Sequence, residues 1–303
     1  MAENANSVAK SPVVSLKTAT SNTRDHPFRR SMRYFIRNRF GVVALMVIIL
    51  ITAASMLASQ LSDYDPVGID AQIRLQAPSM QHLMGTDSLG RDVLTRVLYG
   101  GQVSLQIGFL SILLAVSIGV PLGLVAGYIG GSTDNIIMRV MDLILAFPGL
   151  ILVIWLVGLL GASIFNVIFA IALFSLPTFA RLTRGITLSL EQRDFVLAAR
   201  SMGASSFRIM FRHILPNALG SLIVVTTLSI SEAIITGASL SFLGLGVRPP
   251  TPEWGAMLAD GQSYLRNAWW ISVFPGLVIT TVVLAMNIVG DVIRDAFDPT
   301  TLK

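Results

Sequence analysis

Residues 194–216, DFVLAARSMGASSFRIMFRHILP, form a charged segment with helical periodicity between two long apolar runs. In its first part the apolar residues recur at the i, i+3, i+4 and i+7 spacing of one helical face: Phe195, Ala198, Ala199 and Met202. Gly203 suits the left-handed conformation that closes a helix, and Ser205 suits the N-cap of a following helix. The segment therefore predicts two short helices joined by a glycine turn.

The second predicted helix also carries apolar residues on one face: Phe207, Met210, Phe211 and Ile214. Arg208 and Arg212 lie one turn apart on another side. Pro216 is expected to end this helix. A charged, amphipathic segment between apolar runs predicts a place where a membrane protein contacts a soluble partner.

The same segment resembles the EAA loop of permease subunits in ATP-binding-cassette (ABC) importers. In that motif Glu-Ala-Ala is followed by three residues, Gly, nine residues, a hydrophobic residue, any residue and Leu-Pro. The matching residues here are Ala198, Ala199, Gly203, Leu215 and Pro216. Leu197 replaces the motif's Glu, for which Asp194 is a candidate substitute one turn earlier, and His213 takes the hydrophobic position.

Four further stretches resemble the dipeptide, oligopeptide and glutathione branch of these permeases. They are GTDSLGRDVLTRVLYG (85–100), SLSFLGLG (239–246), PPTPEWGAML (249–258) and GDVIRDAFDP (290–299). Together with the EAA-like segment, the resemblance covers roughly residues 35–300.

The resemblance implies a type I ABC importer permease fold and a set of partners. These are a second, homologous permease, two ATP-binding subunits that use ATP and magnesium, and an extracytoplasmic solute-binding protein. It also implies that the loop 189–216 couples this chain to the ATPase subunits through residues in and around the glycine turn: Asp194, Phe195, Ala198, Ala199, Arg200, Met202, Gly203, Ala204 and Ser205.

Composition independently indicates a membrane protein without a cofactor of its own. The 303 residues are 53% hydrophobic and 13% charged, about half the charged fraction of an average soluble domain. There is no cysteine, and lysine occurs only at positions 10, 17 and 303, so the chain has no Walker A lysine. The three histidines lie in separate segments without metal-ligand spacing: His26, His82 and His213.

The N-terminal residues 1–40 are polar and basic, with residues 1 to about 27 expected to be disordered. The next 23 residues, 40–62, are uncharged. That length suffices for the ~20 residues of a membrane span and exceeds the ~7–15 of a signal peptide's apolar region. We therefore expect a first transmembrane helix at 41–62 rather than a cleaved signal.

Residues 63–100 are polar and predict an extracytoplasmic segment. Within it, an apolar face of Val93, Leu94, Val97 and Leu98 and an i, i+4 pair of Asp92 and Arg96 indicate a short helix. This helix either lies along the membrane surface or is an ordinary packed loop helix.

Residues 101–295 predict a core of five further spans, followed by a cytoplasmic tail at 296–303. The second span, 103–128, contains small residues four apart at Gly119, Gly123 and Gly127, which allow close helix packing in lipid. The 38 uncharged residues between Asp142 and Arg181 are too many for one crossing of a ~30 Å core. We therefore predict spans at 137–158 and 166–188 around a turn at Gly161–Asn166, with later spans at 217–243 and 269–290.

The distribution of basic residues predicts the orientation. With six spans and a cytoplasmic N-terminus, 17 of the 22 lysines and arginines lie in cytoplasmic segments. The positive-inside rule therefore favours a multi-pass protein of the cytoplasmic (inner) membrane with both termini in the cytoplasm. These arginines are better explained as topology signals than as a nucleic-acid site.

Two acids fall within the predicted spans. Asp142 lies three residues after Arg139, so a structural ion pair is expected. Glu232 lies deeper in the fifth span and is a candidate for the solute path, for an interface with a second permease, or for a contact within the fold.

The loop around Pro250, Glu253 and Trp254 is expected on the outer side of the membrane. Its prolines fix its shape, and Trp254 offers a large amphipathic surface. The loop is expected to close the outer mouth or receive the binding protein; a plain interfacial anchor is the alternative.

These observations predict one permease subunit of an ATP-driven importer for di- or oligopeptides, or for a peptide-like solute such as glutathione. A nickel permease is the main alternative within the class. An intramembrane protease would need a catalytic dyad, an aspartate pair or a metal site, and a stand-alone channel would work without ATPase partners.

Overall fold

The computed structural model of the protein describes residues 34–297, and this part of the chain is helical without a β-sheet. In chain order the helices are α1 (Arg39–Met56), α2 (Val93–Ile129), α3 (Gly131–Leu145), α4 (Gly149–Leu160), α5 (Ile164–Glu191), α6 (Asp194–Ser201), α7 (Ser206–Phe242), α8 (Trp254–Gln262) and α9 (Trp270–Phe297). Two short helical turns, Ala58–Leu61 and Ala71–Ile73, lie between α1 and α2. The expectations for the basic residues before Tyr34 and for the tail beyond Phe297 lie outside the described residues.

Five helices are long and apolar enough to cross a bilayer: α1, α2, α5, α7 and α9. The α3–α4 pair meets the same criterion only when taken together, and its two helices are bent by 85°. The prediction of an all-α membrane protein with about six spans is confirmed. The main core is buried where α1, α2, α5, α7 and α9 meet, with α4 packed against α5 at its edge.

Glycines bring α2 and α5 into close contact along the predicted small-residue face. A Cβ atom on Gly119 would lie 2.9 Å from the Leu176 carbonyl oxygen, and one on Gly127 would lie 2.7 Å from the Thr187 Cβ. Gly123 lies between them, against the Ala180 carbonyl. Any larger residue at these positions would push the two helices apart.

The span predicted at 137–158 is broken in the structure, because the helix is interrupted between Leu145 and Gly149 and its two parts are bent by 85°. Pro148 lies at this break with an extended ψ of 128°. Proline cannot donate a helical hydrogen bond and disfavours helical backbone in the preceding residue, so the chain leaves α3 here and starts α4 in a new direction. Pro177, in contrast, lies inside a continuous α5.

The predicted hairpin between α4 and α5 is confirmed. Gly161 ends α4 with φ +91°, and the Ser163 hydroxyl caps α5 by accepting from the Asn166 N–H at 3.2 Å. The Asn166 side chain also donates to the carbonyls of Leu160 (2.9 Å) and Gly161 (2.8 Å). One asparagine therefore fastens both sides of the turn.

The helix predicted within 63–100 is present and packed, as the second alternative expected, but its residues form the first turns of α2 and not a separate helix on the membrane surface. Val93 and Val97 are buried against Met257, Trp270 and Ile271. The apolar face that suggested contact with the membrane surface is instead covered by α8 and the start of α9.

The expected pair of Asp92 and Arg96 is not formed. Asp92 caps α2 by accepting from the Thr95 N–H (2.8 Å) and contacts the His82 ring (3.0 Å). Arg96 lies 3.5 Å from Asp87 and donates to the Pro66 carbonyl at 2.9 Å. Asp92 therefore caps the N-terminus of α2, and Arg96 binds the loop packed beside this helix.

The sequence predicted that Pro216 ends the second helix of the 194–216 segment, and this prediction is wrong. The helix runs without interruption from Ser206 to Phe242 and contains a π turn at Met210–Ile214, where the Leu215 N–H donates to the Met210 carbonyl. The wider turn just before Pro216 accommodates a residue that has no N–H and whose ring crowds the preceding turn.

Candidate coupling surface and solute path

The glycine turn between α6 and α7 has the predicted geometry. Gly203 adopts φ +77° with open space around it. Its N–H donates to the Arg200 carbonyl (3.0 Å), and the Ala204 N–H donates to the Ala199 carbonyl (3.1 Å). The Ser205 hydroxyl then caps α7 by accepting from the Arg208 N–H at 3.4 Å. Short-range hydrogen bonds therefore fix the angle between the two helices.

Helix α6 has an inward and an outward face. Val196 and Ala199 are buried in a cluster with Leu124 of α2 and Ile209 of α7. The outward residues are exposed, and they include Phe195 (42%), Ala198 and Met202 (82%). The expectation that Ala199 shares one surface with these three residues is wrong, because Ala199 packs inside its own chain.

Arg200 ties α6 to the ends of α5 and α2. Its guanidinium donates to Glu191 at 2.7 Å and lies 5.4 Å from the centre of the Tyr128 ring. The hydrogen bond to Glu191 raises the pKa of Arg200 above its ordinary value. Asp194 is exposed at the start of α6, and Ala204 is partly buried against the inner cluster.

The first turns of α7 divide in the same way. Met210 and Ile214 are buried, whereas Phe207 and Phe211 are exposed and stack with ring centres 4.5 Å apart. The two phenylalanines therefore extend the outward apolar surface of α6. The predicted single apolar face of this helix is wrong, since its four residues point to two sides.

Ion pairs hold α3 against the C-terminal half of α5. Asp142 pairs with Arg181 at 2.7 Å instead of the expected Arg139. Asp134 accepts two hydrogen bonds from Arg184, one of them at 2.6 Å. The sequence correctly predicted a structural ion pair for Asp142, but the partner is Arg181 of α5, which lies 39 residues away in sequence.

Glu232 is placed differently from these acids. It lies on α7, is exposed, and forms no hydrogen bond or ion pair within residues 34–297. Among the three alternatives given by the sequence, a polar contact within the described part of the chain is therefore wrong. The solute path and an interface with another subunit stay open at this point.

The loop around Pro250, Glu253 and Trp254 is less exposed than predicted. Pro250 is exposed, but Glu253 and Trp254 are fully buried. The Trp254 indole donates to the Val97 carbonyl at 2.9 Å, and its ring fills the space beside Gly100 and Gly101. Trp254 therefore cannot serve as the outward contact or membrane anchor that the sequence had suggested.

Glu253 fastens α8 to α2, a role that the sequence did not indicate. One carboxylate oxygen accepts from the Ser104 hydroxyl (2.7 Å), and the other accepts from the Ala256 N–H (2.9 Å) as the cap of α8. Ser104 lies 149 residues away in sequence, so no local pattern could have revealed this contact.

Comparison with known proteins identifies the family. Residues 119–303 match the family described as the binding-protein-dependent transport system inner membrane component, and residues 26–78 match the N-terminal transmembrane domain of oligopeptide transport permease C. The glutathione transport system permease protein GsiD of Pectobacterium atrosepticum is 46% identical over 90% of this chain and 91% of that protein. The chain belongs to this family of transport permeases.

A second relative of this permease is the dipeptide transport system permease protein DppC of Alkalihalophilus pseudofirmus. It is 42% identical over 90% of both chains. These relatives do not favour the nickel alternative. Since the family consists of transport components, the chain is a membrane-spanning permease subunit of an ABC importer rather than an enzyme.

A solved structure shares the permease fold. The MetNI methionine ABC transporter in an inward-facing conformation superposes with a TM-score of 0.56 at 19% identity, covering 67% of this chain and 96% of the matched chain. A second crystal form of that transporter gives a TM-score of 0.57. The prediction of the type I importer permease fold is thus confirmed.

Proposed function

We propose that this permease forms half of the translocation path of an ATP-driven importer for peptide-like solutes, with dipeptides or glutathione as the solute. The supporting observation is the 42–46% identity, along 90% of the chain, to permeases named for these two solutes. Dipeptides and glutathione share a primary ammonium group, carboxylates and peptide bonds. The same kinds of side chain along the translocation path therefore suit both solutes.

The 194–216 segment is the proposed docking site for an ATPase subunit. Its outward surface combines exposed apolar side chains on two helices whose angle is fixed by the Gly203 turn: Phe195, Ala198, Met202, Phe207 and Phe211. An apolar cluster of this kind beside arginines on a loop suits a protein partner. Arg200 links this surface to α5 and α2, which gives docking a direct connection to the membrane helices.

The complete transporter is proposed to contain a second, homologous permease, two ATP-binding subunits and an extracytoplasmic solute-binding protein. ATP and magnesium belong to the ATP-binding subunits, and this chain holds no cofactor. The proposed location is the inner membrane, with both termini and the 194–216 segment in the cytoplasm, as the 17 of 22 basic residues on that side support.

Uptake by the purified transporter tests this function. A tagged form of the chain should copurify with two ATP-binding subunits and a second permease. In proteoliposomes supplied with ATP and the binding protein, the complex should import labelled dipeptide or glutathione. Import of nickel alone would contradict the proposed solute class, and solute movement without ATPase subunits would favour a channel.

A further inference from the structure

Glu232 is the single ionisable residue of α7 between Leu215 and Phe242. It precedes the outer end of the helix by ten residues, which places it about 15 Å from Phe242 and near the middle of a ~30 Å hydrocarbon core. Gly108 of α2 packs against Ile234 at this level, and the chain has no charged residue from Val97 to the end of α2 at Ile129. Glu232 therefore lies at the depth of the apolar part of the bundle, on the exposed side of α7.

Two acids of α3 have basic partners. Asp134 and Asp142 pair with Arg184 and Arg181. Glu232 is exposed and has no such partner in residues 34–297. An ionised side chain facing hydrocarbon is unfavourable, and acids in such positions mark solute or ion paths. Glu232 therefore requires water, a polar ligand or a polar group of another subunit on its exposed side.

The surface next to Glu232 contains a cavity. Ile235 and Ser239 follow Glu232 at i+3 and i+7 and so share its face of α7. Both line a cavity of about 360 Å³, with Leu258 of α8 and Ile279 of α9 on the opposite walls. The volume is in the range of small-molecule sites. The walls of the cavity are mostly apolar. The Glu232 carboxylate is the nearby charged group on α7, one helical turn before Ile235.

We propose that Glu232 and the face it shares with Ile235 and Ser239 line the solute path and attract the primary ammonium group of the passing solute. This inference rests on the proposed function and names the part of the solute that this chain recognises. A carboxylate and an ammonium group form a charge-assisted hydrogen bond. A single carboxylate on an open face is weak enough to release the solute again, which transport requires.

The absence of cysteine in the chain allows a direct test in the complete transporter. Ser239→Cys introduces one thiol on the Glu232 face. In proteoliposomes, its labelling is followed on this chain by mass spectrometry with a cationic (trimethylammonium) and an anionic (sulfonate) methanethiosulfonate. After correction for the reactivity of a free thiol, the cationic reagent should react at least about fivefold faster, as expected for one nearby charge.

Matched variants isolate the role of the carboxylate. Adding Glu232→Gln should bring the corrected rates to within about twofold of each other. Adding Asp63→Asn, which removes an exposed carboxylate of the outer loop, should leave the preference intact. Excess free dipeptide should slow cationic labelling, whereas the N-acetylated dipeptide should not.

Three results would overturn the inference. Failure of both reagents to label would place this face against lipid or the second permease. If the cationic reagent still reacted faster after Glu232→Gln, another group would be the source of that preference. If the free and acetylated dipeptides slowed labelling equally, the ammonium group of the solute would not be recognised here. Labelling does not depend on uptake, so a wrong solute class would appear separately, as failed import of peptide by the unmodified transporter.

Discussion

Ala198 and Ala199 are adjacent in sequence and differ in their surroundings. Ala199 is 3% exposed and packs against α2 and α7, whereas Ala198 lies on the outward surface with Phe195 and Met202. The resemblance to the EAA motif assigns both to one coupling role. In the structure the two alanines have different roles. Ala199 packs α6 against the rest of the chain, whereas Ala198 is available to a partner.

Substituting each alanine with tryptophan separates these two roles. Ala199→Trp should overpack the inner cluster and destabilise the chain by ~1–3 kcal/mol, which lowers the thermal unfolding midpoint of the purified permease. Ala198→Trp should leave that midpoint unchanged but reduce both copurification of the ATP-binding subunit and ATP-driven uptake. Normal ATPase binding and uptake by Ala198→Trp would contradict docking at this surface.

The apolar residues at positions 195–202 illustrate what a sequence pattern can establish. Helical periodicity correctly predicts the helix, the Gly203 turn and the Ser205 cap, because these depend on local backbone preferences. It does not distinguish apolar residues buried by the same chain from those left for a partner. Val196 and Ala199 form the inner face, although the predicted set omitted Val196.

At the scale of elements, α8 is a short helix packed between the ends of α2, α7 and α9. Gly255 lies against Ala238 of α7, and Gly261 lies against Ser272 of α9. Trp254 and Glu253 fasten its start to α2. The loop that was predicted to be an exposed binding element therefore joins three spans, α2, α7 and α9.

Removal of the Trp254 side chain should weaken this junction. Trp254→Ala leaves a cavity and loses the indole hydrogen bond to Val97, so we expect destabilisation of ~3–5 kcal/mol. Trp254→Phe keeps most of the volume and should cost less. Thermal unfolding of the purified permease provides the measurement, with Trp269→Ala as control because Trp269 is 48% exposed. Equal shifts for Trp254→Ala and Trp269→Ala would show that α8 does not stabilise the bundle.

Hydropathy predicts the number of spans well, since each crossing needs a long uncharged run. It does not predict how the helices bend or pair. The break at Pro148 and the continuation through Pro216 depend on whether neighbouring turns can adapt to a missing N–H, and the same residue type gives opposite results. The partner of Asp142 and the contact of Glu253 with Ser104 arise from distant segments, which a single sequence does not connect.

At the scale of the whole molecule, two helices extend beyond the membrane at opposite ends. α2 and α7 each contain 37 residues, or about 55 Å of helix against a ~30 Å hydrocarbon core. The extra length of α2 includes its first turns, which pack with α8 and the start of α9. The extra length of α7 includes Ser206–Ile214, which packs with α6.

The proposed orientation predicts which of these ends faces the cytoplasm. A reporter enzyme that is active only outside the cytoplasm should be active when fused after Pro250 and silent when fused after Ser206. The physical reason is the concentration of basic residues on the Ser206 side. Activity measured in intact cells, normalised to the amount of each fusion, provides the test, and the reverse pattern would overturn the six-span orientation.

The π turn at Met210–Ile214 has a consequence for how the two ends of α7 are related in rotation. A π turn contains one more residue than an α turn, and each residue of a regular helix advances by about 100°. Counting in steps of 3.6 residues from Glu232 toward Ser206 therefore misplaces every side chain before the π turn by one position. Deleting one residue within the turn would allow regular winding and keep the present angle between Phe207 and Glu232. The same deletion at Leu222 would rotate one end relative to the other by about 100°.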